Sequence, residues 1–203
     1  MDSRARRKPS GAAVLRPELT DAIVEITLDE LAEKGFGRMS MEAVAKRAGV
    51  GKSALYRRWP SKQELAVDAM SRLSVPLAEA PDTGSLRGDV RAVLEATLSW
   101  LDDPRLGRIL TDLVAEARRN ETLARALAAA VGEPRRARGE VVLDRAIARG
   151  ELPAGVDREI ALDLFAAPLF WHLGVRLLPV TPEYLDRLTD VLTAALTAGR
   201  TGP

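Results

Sequence analysis

The chain has 203 residues, 46% of them apolar, with one histidine, no cysteine, and thirty lysines and arginines against twenty-nine acids. The lack of cysteine excludes disulfides and thiolate metal sites and fits a reducing cytoplasm. No apolar run approaches the ~18 residues of a membrane span, and the N-terminus is too polar for a secretory signal.

The net charge of +1 conceals two unlike parts. Residues 1–62 carry thirteen cations and eight acids, residues 63–203 seventeen and twenty-one. At the start of the chain, Arg4, Arg6, Arg7 and Lys8 precede Pro9 and Gly11, the pattern of a flexible basic arm over residues 1–14. A helix follows over about 16–34 with two apolar stripes, Leu19, Ala22, Ile23, Ile26 and Val24, Leu28, Leu31, so it is wedged between two neighbours. Gly35-Phe36-Gly37 ends it. Met41, Val44, Ala45 and Ala48 then mark one face of a short helix, with Ser40 as its N-cap and Glu42 in its first turn. Gly49 supplies the positive φ of a tight turn. Residues 52–59 form a second short helix that turns Leu55 and Trp59 inward and leaves cations, Ser53 and Tyr56 outside. This is the pattern of a helix-turn-helix, whose second helix enters the major groove of DNA.

The run Ala45–Ala48, Gly49-Val50-Gly51-Lys52 and Leu55-Tyr56-Arg57-Arg58-Trp59-Pro60-Ser61-Lys62 closely resembles the DNA-binding segment of the tetracycline-repressor (TetR) family of bacterial regulators. The likeness spans roughly residues 15–70. Gly51 stands where serine or threonine is common, which removes a possible phosphate-binding hydroxyl, and Trp59 stands where phenylalanine is common. The cationic first part of the chain coincides with this segment, as a phosphate-bearing partner requires. Lys52, Ser53 and Tyr56 are placed to hold phosphates, and Lys62 lies at the next helix N-terminus, where the dipole assists. Arg57 is central on the exposed face and suited to grip guanine with two hydrogen bonds, while Ala54 can meet a thymine methyl. Ser40 and Arg58 complete the expected DNA-binding set. In the resembled family the lysine, the tyrosine and their neighbours on this helix do touch operator DNA. The arm is suited to a minor groove or the phosphate backbone.

Ser61-Lys62-Gln63-Glu64 is a capping box opening a helix to about residue 78, with Leu65, Ala69, Met70 and Leu73 inward. After a loop at Pro81–Gly84, helices are expected at about 86–102, 104–118, 120–131, 134–149, 157–177 and 182–198. The third and fourth are separated by a break at Gly132-Glu133-Pro134. Asp103, Asp157 and Thr181 serve as caps, Pro104 and Pro182 as first residues, and Pro168 kinks the helix containing it. The expected fold is all-α: a helix-turn-helix head over 15–62 and a helical effector-binding and dimerisation domain over 63–203.

Two features resemble chemical sites without meeting their requirements. Gly51-Lys52-Ser53 ends like a phosphate-binding loop, yet Lys46 occupies the place of the required glycine and no strand precedes it. His172 is the sole histidine, which rules out a histidine metal cluster, and it is read as an interfacial or pocket-edge residue in preference to a catalyst. No enzyme, cofactor or metal is called for.

The last two helices carry ridges at Leu162, Phe165, Leu169, Leu173 and at Leu185, Leu188, Leu192, Ala195. Such a pair either completes the domain core or joins its copy as a four-helix bundle. The resemblance implies the second, and a palindromic duplex read by two recognition helices ~34–36 Å apart demands a homodimer. Leu162, Leu169, His172, Leu173, Leu185, Leu188, Leu192 and Ala195 are the expected interface. The resemblance also implies a small-molecule cavity in the body whose occupation pulls the heads out of register. Met70, Trp100, Leu101, Leu110, Leu113, Val114, Phe165 and Trp171 are its expected lining, with core packing as the alternative for each. So apolar a lining calls for a largely apolar ligand, and Arg118 and Arg119 are read as solvated charge, with recognition of an acid group as the alternative. The expectation is a cytoplasmic bacterial repressor. An architectural DNA binder without effector, or an enzyme with a DNA-binding head, are the other readings.

Overall fold

A computed structural model describes residues 17–74 and 80–198. The basic arm therefore lies outside the described residues, as does the stretch at 75–79. Every regular element among the described residues is helical: α1 (Pro17–Arg38), α2 (Met41–Arg47), α3 (Lys52–Arg58), α4 (Lys62–Ser74), α5 (Leu86–Leu101), α6 (Pro104–Ala117), α7 (Glu121–Leu127), α8 (Glu133–Ala148), α9 (Arg158–Leu164), α10 (Ala167–Phe170) and α11 (Pro182–Ala198). No described helix is long and apolar enough to cross a membrane.

The helix starts follow from capping chemistry. Ser40 Oγ accepts from Ala43 N at 3.1 Å, and Asp103 accepts from Arg105 N and Leu106 N with Pro104 behind it. At α4 Glu64 N donates to Ser61 Oγ, and Ser61 Oγ donates to Glu64 Oε1, each at 3.1 Å, so the acid reaches back to the cap hydroxyl and not to its backbone N–H. Gly51 is the N-cap of α3 and offers it no side-chain bond.

Two prolines reshape helices in different ways. The break expected at Gly132–Pro134 is absent: α7 runs through a π-helical turn, Ala128–Gly132, directly into α8. Pro134 stands just inside α8, and the wide π turn ahead of it accommodates its ring. Pro168 does interrupt its helix. It cannot donate back to Leu164, so α9 stops there and α10 begins at Ala167, followed by a second π-helical turn, Trp171–Val175.

Two hydrophobic cores organise the chain. The first joins α1–α4 through Ile23, Leu28, Leu55, Leu65 and Met70, and extends to Ile109 and Leu113 on α6 and Leu123 on α7. Of the two expected stripes of α1, Val24, Leu28 and Leu31 are buried, and Ile23 is buried with Leu19 and Ile26 half-buried, while Ala22 is exposed. The second core gathers α5, α8, α9, α10 and α11 around Leu94, Leu143, Leu169 and Leu192.

Candidate nucleic-acid interface

Residues α2 and α3 meet at Gly49, whose φ of +65° is the left-handed turn conformation. Val44 and Leu55 are completely buried between the two helices and α1, and Trp59 is nearly so, its Nε1 donating to Asp68 at 2.9 Å. This fixes the opposite side of α3 outward. Lys52, Ser53, Arg57 and Arg58 are exposed there, with Ala54 and Tyr56 half-buried beside them. The recognition side predicted from sequence therefore faces solvent.

An acid sits within it. Glu42 pairs with Lys52 at 2.5 Å, accepts from Tyr56 Oη at 3.4 Å and from Ser40 Oγ at 3.3 Å. The hydrogen bond from Lys52 holds the Glu42 carboxyl below its ordinary pKa. Sequence reading gave Glu42 only a place in the first turn of α2, where the helix dipole favours an anion, since pairing to a neighbouring helix across a turn has no signature in spacing. Arg57 forms no ion pair among the described residues, and Arg58 lies 5.0 Å over the Trp59 ring. Lys62 is less free than expected. Its ammonium donates to Phe36 O at 2.9 Å and Gly37 O at 3.1 Å and sits over the Phe36 ring, fastening α4 to the end of α1 and leaving one proton for another partner.

The body holds a cavity of about 690 Å³. Trp100, Leu101, Leu110, Val114 and Phe165 line it as expected. Met70 and Leu113 do not: both are packed in the first core, because α4 and α6 press against the head there. Trp171 does not either, since the π-helical turn swings it outward to 59% exposure. Leu162, expected at a subunit interface, lines the cavity. Arg135, Arg136 and Arg138 also reach the lining, and sequence reading missed them. The signal was present, for Arg135 shares the inward i, i+4, i+7, i+11 stripe of Gly139, Val142 and Ala146 on α8. Arg118 and Arg119 stay exposed.

The expected interface ridge needs correction in the same way. Leu162, Leu169, Leu185 and Leu192 are buried in the chain's own second core, Leu173 and Leu188 pack against it, and His172 is buried, stacked on Tyr184 with Nε2 against Pro179 O. Packing of α11 on α5 consumes that ridge. Ala195 remains exposed, in a stripe with Val191, Ala194 and Ala198.

Comparison with known proteins agrees with this geometry. Residues 23–69 match the family described as bacterial regulatory proteins, tetR family, and residues 80–192 match the tetracyclin repressor-like C-terminal domain. The chain is 31% identical to the uncharacterized HTH-type transcriptional regulator YdeS of Bacillus subtilis over 168 residues, 82% of this chain and 84% of that one. It is likewise 31% identical to the DNA-binding transcriptional repressor TetR of Mycobacteroides abscessus, over 83% of this chain and 88% of that one. The crystal structure of the TetR family transcription regulator SCO0332 superposes with a TM-score of 0.65 at 29% identity, covering 87% of this chain and 97% of that one. An outward cationic recognition helix and matches across both head and body have one consistent meaning: the chain belongs to the TetR family of DNA-binding transcriptional regulators.

Proposed function

We propose that this regulator is a homodimeric repressor that reads a palindromic operator in the bacterial cytoplasm and leaves it when a small, largely apolar molecule occupies the body cavity. The observation that carries the DNA reading is the solvent-facing set Lys52, Ser53, Tyr56 and Arg57 on a helix anchored from behind by Leu55 and Trp59. In this reading Lys52 exchanges Glu42 for a phosphate, Ser53 and Tyr56 support it, and Arg57 reads a guanine. Ser40, Ala54, Arg58 and the remaining proton of Lys62 act at the rim. A repressor by name among the relatives, that of Mycobacteroides abscessus, supports the sign of regulation.

The ligand reading rests on α6. Leu110 and Val114 of this helix line the cavity, while Ile109 and Leu113 pack into the head, and Asp112 accepts from Phe36 N at 2.6 Å. One rigid helix therefore touches both a ligand and the DNA-binding unit, and a ligand that favours one position of α6 biases the head. The break ahead of Pro168 lies on the opposite wall, with Phe165, Ala166 and Ala167 on the lining, and gives that wall room to shift.

The test is a pair of substitutions measured on an operator duplex by fluorescence anisotropy. Arg57→Ala should lose discrimination at one base pair per half-site, about 1–3 kcal/mol. Lys52→Ala should weaken all sequences evenly and reduce the salt slope by about one ion per subunit. Uniform weakening by Arg57→Ala instead would indicate an architectural binder.

A further inference from the structure

The cavity wall contains a charge that the protein does not neutralise. Arg135 projects from the inward stripe of α8, stacked over the Trp100 ring with its guanidinium carbon 4.5 Å from the centroid. Among the described residues its hydrogen bonding is a single long contact, Nη2 to Thr97 Oγ1 at 3.5 Å. Nη1 is enclosed and has no hydrogen-bond partner among the described residues, and the same is true of Trp100 Nε1 on the same wall. Arg135 forms no ion pair among the described residues, whereas Arg136 beside it is bound to Asp163 at 2.6 Å and Glu159 at 2.8 Å. Burial first, and the Arg138 cation second, push the Arg135 pKa below the ordinary arginine value. A guanidinium nevertheless keeps its proton at neutral pH, so the charge stays.

A buried cation with no counter-ion is costly, and chains tolerate it where something else completes it. Nothing in the fold demands it here: Gly139, Val142 and Ala146 fill the rest of the stripe with small apolar groups. The other side of the cavity is mostly apolar, from Val93, Leu110, Leu162 and Phe165, and the acid on the lining, Asp163, is paired with Arg136. We propose that the cavity takes an amphipathic anion, a hydrophobic body ending in a carboxylate, whose oxygens pair with the Arg135 guanidinium and accept from Trp100 Nε1. A turn about the terminal torsions of Arg135 brings its unpaired edge to the ligand, at the cost of the weak Thr97 contact and part of the stacking on Trp100. A planar fork of donors matches a carboxylate with two parallel bonds. The apolar walls take up the body of the ligand, in keeping with its largely apolar character. Because the acid group bridges α8 to Trp100 at the end of α5, next to Leu101 and α6, it acts on the helix that carries the head. The assignment rests on the reading of this cavity as the effector site.

The experiment uses the full chain and two sets of probes, each with a fixed body: decanoate, decanamide and decylamine, then 2-naphthylacetate and its amide. Calorimetry gives affinity for the protein, and anisotropy gives the effect on a selected operator duplex. In at least one set the acid should bind about tenfold or more tightly than its amide, as expected for one charge-assisted hydrogen-bond pair, and should release the duplex. Arg135→Met should reduce acid binding to the level of the amide, leave amide binding within about twofold, and leave the thermal midpoint of the ligand-free protein unchanged or higher, since it removes an unpaired charge. Amide or amine binding as tight as the acid overturns the anion and leaves the effector cavity standing. A marked fall in the thermal midpoint of Arg135→Met, with acid binding intact, assigns the guanidinium to the fold and overturns the proposal. Failure of every probe to bind or to move the duplex overturns both the anion and the effector reading.

Discussion

Glu30 is 1% exposed, yet it carries charge between Lys34 at 2.8 Å and Arg47 at 2.9 Å. Burial pushes its carboxyl up, but the hydrogen bonds from Lys34 and Arg47 outweigh burial and hold it below the ordinary value of 4.5. Asp89, also without exposed surface, behaves alike: burial opposes, and bonds from Thr83 and Arg149 win. Both pKa values are lower folded than unfolded, so the unfolded chain binds more protons on acidification. Their stabilisation is complete above the unfolded values and is lost as pH falls through the folded ones. The thermal midpoint should therefore drop steadily below about pH 4.5, the unfolded glutamate range. Arg47→Ala should cost about 1–2 kcal/mol at pH 7, less than the ~3–5 kcal/mol of a fully buried pair because Arg47 is itself 37% exposed. The loss should shrink at acid pH in thermal melts of both proteins. What could be read at this scale from the sequence was what local spacing encodes. Ser40, Ser61 and Asp103 as caps, and Leu55 and Trp59 as anchors, follow from i, i+3 and i, i+4 relations alone. Glu42 against Lys52 and Arg135 against Trp100 depend on neighbouring helices, which no period reveals.

Helices α1 and α6 meet where the chain is least forgiving. Gly35 has φ +74° and ψ 163°, a region open essentially to glycine, and a Cβ there would stand 2.8 Å from Asp112 Oδ1. That backbone turn lets Phe36 N reach Asp112, and Lys62 then closes on Phe36 O from the other side. Arg105 adds a second tie from α6 to Glu25 and Asp29 of α1. Gly35→Ala should cost about 1–3 kcal/mol in backbone strain alone and displace Asp112. In Asp112→Asn, where the backbone is unstrained, DNA affinity without ligand should persist while release by the ligand weakens, as read by anisotropy with and without it. Equal release by both proteins would remove Asp112 from the route. The order and caps of these helices were legible because most glycines and prolines fall between apolar periods, whereas their number was not, since α7 and α8 are continuous and the helix at Pro168 is divided. The placement of Met70 and Leu113 was not, since an apolar stripe states that a face is buried and never against what. The same ambiguity gave Leu185 and Leu192 to a partner when α5 already covers them. Pro134 was misread because a π-helical turn absorbs a proline that an ideal α-helix would not.

As a whole, the molecule leaves apolar surface that a lone chain gains nothing by exposing. Val191 is 63% exposed in line with Ala194, Ala195 and Ala198 on α11, and Trp171 and Val175 stand outward one turn apart. In the proposed homodimer, a two-fold contact through the α11 stripe, with small residues allowing close approach, would cover Val191 and its alanine neighbours. Val191→Asp then places like charges on both sides of the axis and should weaken the dimer about 100-fold or more in sedimentation equilibrium. A variant that stays dimeric moves the interface elsewhere. The central claim, that paired copies of α3 present Lys52 through Arg58 to the major groove, is tested most directly by selecting bound duplexes from a random pool at moderate salt. The account predicts an enriched inverted repeat whose half-sites lie about one helical turn apart, with a guanine whose preference disappears in Arg57→Ala. A pool that emerges unenriched, or a repeat indifferent to Arg57 and Lys52 alike, would contradict it.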